Sequence, residues 1–146
     1  MRPSKLTLQQ RGINALEPDA FDTYARVIVE TAPIATAERL ELIAAMDSTP
    51  HAELAAYHED LLRESLRSSN IRLLSFVDFS WAKRKGYRCR RMVYRRSLDG
   101  GPATRVENYW YILPKMVVTV MISYWEQDAD MWRSTLERLE RSIVLD

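Results

Sequence analysis

Four strand-like runs, Leu73–Ala82, Tyr87–Ser97, Arg105–Leu113 and Lys115–Trp125, follow one another across tight turns and lead into a single amphipathic helix. Few architectures accept that order. Consecutive strands joined by short turns pair antiparallel, and the apolar side of the resulting meander must be covered by another element. Leu98-Asp99-Gly100-Gly101-Pro102 is a strong turn, Pro114-Lys115 a tight reversal, and Gly86 marks the remaining corner. Asp128 and Asp130 both suit the start of the closing helix, along which Trp132, Leu136, Leu139 and Ile143 recur every three or four residues. Arg138 and Arg141 lie toward its negative end. The predicted class is α+β, an antiparallel sheet with a C-terminal helix packed on it.

The first half supplies the rest of that sheet and a helix pair. Lys5–Gln9 reads as a short strand, Gly12–Ala20 as a loop and Thr23–Thr31 as a second strand that pairs with the first. From Thr36 the period changes to helical: Thr36 caps, and Leu40, Ile43 and Ala44 line one face of a helix ending near Ser48-Thr49-Pro50. A longer helix runs from Pro50 to Arg67 with a stripe of Leu54, Tyr57, Leu61, Leu62 and Leu66, and Asn70 ends it. Nothing repeats and no linker divides the chain, so residues 1–146 are expected to form one domain.

Charge narrows the partners. With 21 Lys and Arg against 20 Asp and Glu, the formal charge of +1 argues against global attraction to nucleic acid or anionic lipid. Cys89 stands alone, which removes an internal disulfide and any multi-cysteine metal site. No stretch approaches the roughly 18 apolar residues of a membrane span. The chain therefore reads as cytoplasmic as written, or as exported if a segment has been removed ahead of Lys5-Leu6-Thr7-Leu8.

Gly86-Tyr87 leading into a strand that ends at Tyr94-Arg95-Arg96, the run Tyr109-Trp110-Tyr111, the strand Val117–Tyr124 and the helix from Trp132 to Ser142-Ile143 together resemble the PsbP-like and DcrB-like superfamily. That fold is shared by the PsbP proteins of photosystem II, bacterial periplasmic DcrB-like proteins and a yeast Ran-binding import factor. The likeness covers nearly the whole chain. It implies a binding or assembly factor rather than an enzyme, and one bacterial branch comprises chaperones of type VI secretion effectors. It carries over no catalytic motif, so it bears on fold more than on function.

Two features stand out as candidate sites. Lys83, Arg84, Lys85, Arg88, Arg90, Arg91, Arg95 and Arg96 put eight positive charges into residues 83 to 96 with no acid among them. Strand alternation places Arg88, Arg90 and Arg96 on one face with Met92 and Tyr94, and Arg91 and Arg95 on the other with Cys89 and Val93. The patch is either a surface for an anion or acidic partner, or it is neutralised internally. Residues 36 to 67, with seven acids against three bases, and Glu107 and Glu126 on neighbouring strands are the available counter-charges. The second feature is aromatic: Tyr87, Tyr94, Tyr109, Trp110, Tyr111, Tyr124 and Trp125 gather on the meander, with Trp110 and Trp125 on the face opposite Tyr109, Tyr111 and Tyr124. Since the last helix seals one face, the other is expected to be an exposed aromatic platform.

The chemistries that remain are few. His51 and His58 sit seven apart on the second helix, too far along its axis to share a metal, and His58 reads as a partly exposed residue beside Glu59 and Asp60. Cys89 reads as a small buried apolar residue. Arg88, Arg90, Arg91, Arg95, Arg96, Tyr109, Trp110, Tyr111 and Trp125 are thus the candidate partner-binding set, with no catalytic residue, metal or cofactor assigned. The expected partner of this monomer or homodimer is a protein, and nucleic acid is disfavoured. The alternatives are a small apolar-ligand carrier, or a ketosteroid-isomerase-like enzyme using Asp78 with Tyr94 or Tyr109 in an apolar pocket. Against the enzyme, such folds usually finish on a strand, whereas this chain opens with strands and finishes on a helix.

Overall fold

The computed structural model describes residues 3–10 and 22–146, so the expected loop Gly12–Ala20 lies outside the described residues. The chain runs β1 (Ser4–Gln9), β2 (Ala25–Pro33), α1 (Thr36–Ser48), α2 (His51–Arg67), β3 (Ile71–Arg84), β4 (Tyr87–Leu98), β5 (Thr104–Ile112), β6 (Met116–Trp125), a 3₁₀ turn at Glu126–Asp128 and α3 (Ala129–Ser142). The six strands form one antiparallel sheet in the order β1-β2-β6-β5-β4-β3. The meander pairs in sequence, and the N-terminal hairpin joins it along β6 through a register running from Ala25 opposite Tyr124 to Pro33 opposite Met116.

The hairpins follow from their turn residues. Lys85 and Gly86 between β3 and β4, and Asp99 and Gly100 between β4 and β5, all have positive φ. Two consecutive left-handed residues give the turn whose twist matches that of the flanking strands, and glycine adopts it without strain. At the second corner the Gly101 amide donates to the Leu98 carbonyl at 2.8 Å. Between β5 and β6 the Leu113 amide donates to the Met116 carbonyl at 2.8 Å, closing the two-residue reversal at Pro114-Lys115. β3 is longer than β4 requires and absorbs the excess in two register shifts, between Leu73 and Ser75 and between Phe76 and Asp78.

Both faces of the sheet carry helices. On one, α3 lays Leu136, with Trp132 and Leu139 beside it, over Ala25, Val27, Tyr109, Tyr111, Val118, Val120, Ile122 and Tyr124. On the other, α1 and α2 bury Met46, Leu54 and Leu66 against Leu73, Phe79, Met92, Tyr94 and Val106. The layered arrangement replaces the expected open platform: the face opposite α3 is where the helix pair sits.

The helix pair is rotated relative to the stripes expected from sequence. In α1 the buried residue is Met46, with Leu42 partly buried beside it, while Leu40 is 58% exposed. In α2 the register Leu54, His58, Leu62, Leu66, spaced by four, faces the sheet, and Tyr57 and Leu61 turn outward. Of the predicted caps, the one at α3 falls at an expected residue and the one at α1 falls one residue before Thr36. Ala35 and Asp128 occupy the N-cap positions of α1 and α3 without a side-chain cap. Asp128 instead accepts a hydrogen bond from the Thr23 hydroxyl, which in turn accepts from the Trp132 indole, tying the start of α3 to the chain entering β2. At its other end Lys85 Nζ, in the β3–β4 turn, donates to the carbonyls of Glu140 and Ile143 at 2.6 and 2.7 Å. A lysine on another element thus satisfies acceptors that a helix end leaves open.

Candidate functional site

The arginine-rich strand β4 shows how the charge is distributed. Arg88 pairs with Asp47 at the end of α1 and lies over the Trp81 ring. Arg91 bridges Asp78 and the buried Glu107 at 3.0 and 3.1 Å. Arg95 forms a two-pronged pair with Glu126, and Arg84 reaches Glu140 at 2.7 Å. Each acid comes from a different element, so these arginines clamp α1, α3 and the strands together. Arg96 is half-buried on β4, with no carboxylate at ion-pair distance among the described residues.

Arg90 differs from its neighbours. It sits mid-strand on the helix-pair face, between Trp81 of β3 and Trp110 of β5 in the sheet register, with its guanidinium 4.9 Å from the Trp110 ring centre. Its Nη2 donates to Asn108 Oδ1 at 3.2 Å, and its Nε is buried with no acceptor. Among the described residues no carboxylate stands within ion-pair distance of it. Burial pulls its pKa down to about 10, the direction expected of a desolvated charge without a carboxylate partner.

Arg90 lines a cleft of about 560 Å³ between the helix pair and the sheet. Leu42, Met46, Leu54, Tyr57 and Leu61 make its walls apolar, Trp110 forms the floor with Arg90, and Glu53 lies among the lining residues. Residues of α1 and of α2, joined by the short connection at Thr49-Pro50, line the cleft from above, and Arg90 of β4 and Trp110 of β5 from the sheet. Its size falls in the range typical of small-molecule sites, and an apolar wall with one or two polar groups is their usual composition.

His58 also lines the cleft and, against the sequence expectation of partial exposure, is buried at 7%. Its Nδ1–H donates to the Leu54 carbonyl at 2.9 Å, and its ring packs 5.2 Å from that of Phe79. Desolvation lowers its pKa below the ordinary imidazole value; the Leu54 bond opposes this, and the Arg90 charge adds to the lowering. The sign follows directly. A histidine that resists protonation when folded lets the unfolded chain bind more protons, so stability falls as pH drops through the unfolded value near 6.5. Denaturant midpoints measured between pH 7 and 5 are expected to decline in the wild type and to decline less steeply in His58→Gln.

The remaining expected site residues are dispersed. Tyr109 and Tyr111 lie in the core beneath α3, with Tyr109 4% exposed and Tyr111 fully buried, their hydroxyls donating to Glu107 and Glu140. Trp125 is half-buried and stacks on Tyr24 at 6.4 Å, outside the cleft. Of the expected set, the cleft therefore brings together Arg90 and Trp110. Asp78 has a side chain 58% exposed and pairs with Arg91, while Tyr94 and Tyr109 occupy opposite faces of the sheet. Arg91 also reaches the Tyr109 hydroxyl at 3.4 Å, so the surroundings that Asp78 shares with that tyrosine are charged rather than apolar. Cys89 is buried and its thiol is pushed up to about 11 by that burial, the behaviour of an inert core residue.

No protein-family model matches the chain, and no curated protein matches it. Solved structures do. A protein of unknown function from Pseudomonas aeruginosa, PA94, superposes with a TM-score of 0.57 over 100% of this chain and 85% of its own, at 11% identity. The solution structure of cyanobacterial PsbP (CyanoP) from Synechocystis sp. PCC 6803 gives a TM-score of 0.57 over 97% of this chain and 82% of its own, at 12% identity. The chain thus has a PsbP-like fold, as its order of elements had implied.

Proposed function

We propose, on the basis of this PsbP-like fold and its cleft, that the protein is a non-enzymatic binding factor that seats an apolar body between the helix pair and the sheet. The observation that carries the reading is the cleft itself, walled by Leu42, Met46, Leu54, Tyr57 and Leu61 and floored by Trp110 and Arg90. Apolar surface left open to water beside a well-packed core is a cost the fold bears only locally, and such surface is where recognition concentrates. The flat arginine surface gives weaker support to a protein partner, because Arg88, Arg91 and Arg95 are engaged in internal pairs. Trp125 and Arg96 belong to that second reading and lie outside the cleft.

Titration with Nile red, an uncharged apolar dye, tests the first reading. The wild type is expected to raise and blue-shift the dye's fluorescence. Ala45→Trp, which places a large ring on an exposed lining position of α1, is expected to weaken that response severalfold with the thermal midpoint little changed. No response from the wild type, or an equal response from the variant, removes the cleft as the seat.

A further inference from the structure

We infer that the occupant of the cleft is an amphipathic carboxylic acid, its carboxylate held by Arg90 and its hydrocarbon body lying along Leu42, Met46, Leu54 and Leu61. The inference rests on the reading of the cleft as a binding site and adds the ligand's chemistry to it.

Charge complementarity selects the class. A guanidinium inside an apolar wall pays a desolvation cost that an ion pair or a full set of hydrogen bonds ordinarily offsets. Arg88, Arg91 and Arg95 of the same strand follow that rule, taking Asp47, Asp78, Glu107 and Glu126 as partners, while Arg96, which has no such partner among the described residues, does not line the cleft. Arg90 has one neutral acceptor, Asn108 Oδ1, one aromatic face, Trp110, and a buried Nε with nothing to donate to. Glu53, though part of the same lining, makes no ion pair with it. The Nη hydrogens not taken by Asn108 form the fork that a carboxylate matches with two parallel bonds; the closed-off Nε is not among them. A ligand made only of hydrocarbon would leave that charge as it is, and a small anion without a tail would leave the apolar walls wet. An acid with an apolar body satisfies both.

The position of Arg90 also argues for a role in binding rather than in holding the fold. An arginine that clamps elements loses stability when removed, as Arg91 between Asp78 and Glu107 would. An uncompensated one does not, because its removal relieves a buried charge. Arg90→Met is therefore expected to keep or raise the thermal midpoint while losing the ligand's head group.

Isothermal titration of the full chain with decanoate, decanol and acetate, the first two kept below their aggregation limits, separates head from tail. Decanoate is expected to bind at least about tenfold more tightly than decanol, the scale of a charge-assisted hydrogen-bonded pair, and acetate to bind far more weakly than either. In Arg90→Met the preference between decanoate and decanol should vanish or invert. Ala45→Trp should weaken decanoate and Nile red together. Equal binding of decanoate and decanol by the wild type overturns the inference and leaves the cleft as an apolar seat. Acetate binding as tightly as decanoate overturns it as well, since the walls would then contribute nothing. Absence of decanoate binding overturns it too, and loss of the Nile red response alongside marks failure of the underlying reading. The wild-type comparison of the three ligands needs no variant, so the inference can fail even if Arg90→Met does not fold.

Discussion

Glu140→Ala is expected to destabilise the protein by about 3 to 5 kcal/mol, the usual cost of removing one member of a buried charged cluster. Glu140 is 1% exposed on the inner side of α3 and accepts from Arg84 and from the Tyr111 hydroxyl, each at 2.7 Å, with Lys85 at 3.7 Å. Taking the carboxylate away leaves Arg84 and a core hydroxyl without their shared acceptor, and it loosens the helix that seals one face of the sheet. Its protonation is expected to matter in the same direction. Burial by itself favours the neutral acid, yet the bonds from Arg84 and Tyr111 and the Arg84 and Lys85 charges hold the carboxyl below its ordinary value. A folded value below the unfolded one supplies stability above the unfolded pKa, near 4.3, and loses it as pH falls toward the folded value. Urea midpoints followed from pH 6 to 3 should therefore fall more steeply in the wild type than in Glu140→Gln. Equal slopes would show that this carboxylate does not couple folding to acid.

Phe79→Ala should cost about 3 to 5 kcal/mol on the opposite face, as expected for truncation of a core aromatic. Phe79 is 5% exposed and is the point at which α2 grips the sheet. Its carbonyl accepts from His51 at 3.1 Å, and its ring packs against those of His51, His58 and Phe76. The two effects differ in what they take with them. Loss of Phe79 should lower the Nile red response in proportion to the loosening of α2, because Leu54, Tyr57, His58 and Leu61 all reach the cleft from that helix. Glu140→Ala should leave the dye response of the folded fraction unchanged, since α3 lies across the sheet. A variant pair that changes both quantities alike would mean that the two faces unfold as one unit at their first step.

The meander, its corners and the closing helix were legible because each is written locally: alternation within a strand, left-handed residues in a turn, a three-to-four spacing in a helix. The helix pair was less so. α1 contains Leu40, Leu42, Ile43, Ala44, Ala45 and Met46 in thirteen residues, which allows more than one apolar stripe. The sheet, through Met92, Phe79 and Trp110, selects the one running through Leu42 and Met46. His58 was misjudged for a related reason. Glu59 and Asp60 are its neighbours in sequence but project from other sides of the helix, whereas Leu54 and Leu66, four and eight residues away, share its buried side. The spacing of four through Leu54, Leu62 and Leu66 was the signal that could have found it. The special status of Arg90 could not be read from the chain at all. Eight basic residues look alike until the register and the helix ends assign Asp47, Asp78, Glu107, Glu126 and Glu140 to Arg84, Lys85, Arg88, Arg91 and Arg95, and every one of those pairings is non-local.

The two irregularities in β3 bear on what this sheet can join. β3 is a border strand, with Leu74 and Val77 exposed at 37% and 47% where the register slips. A straight border with outward apolar residues would offer its unpaired amides and carbonyls as a template for a further strand from a neighbouring molecule. Each slip breaks that row and adds local twist, so an incoming strand would find its partners out of step after two or three residues. A fourteen-residue border broken in this way is a poorer template for edge-to-edge pairing than a straight one carrying the same exposed leucine and valine.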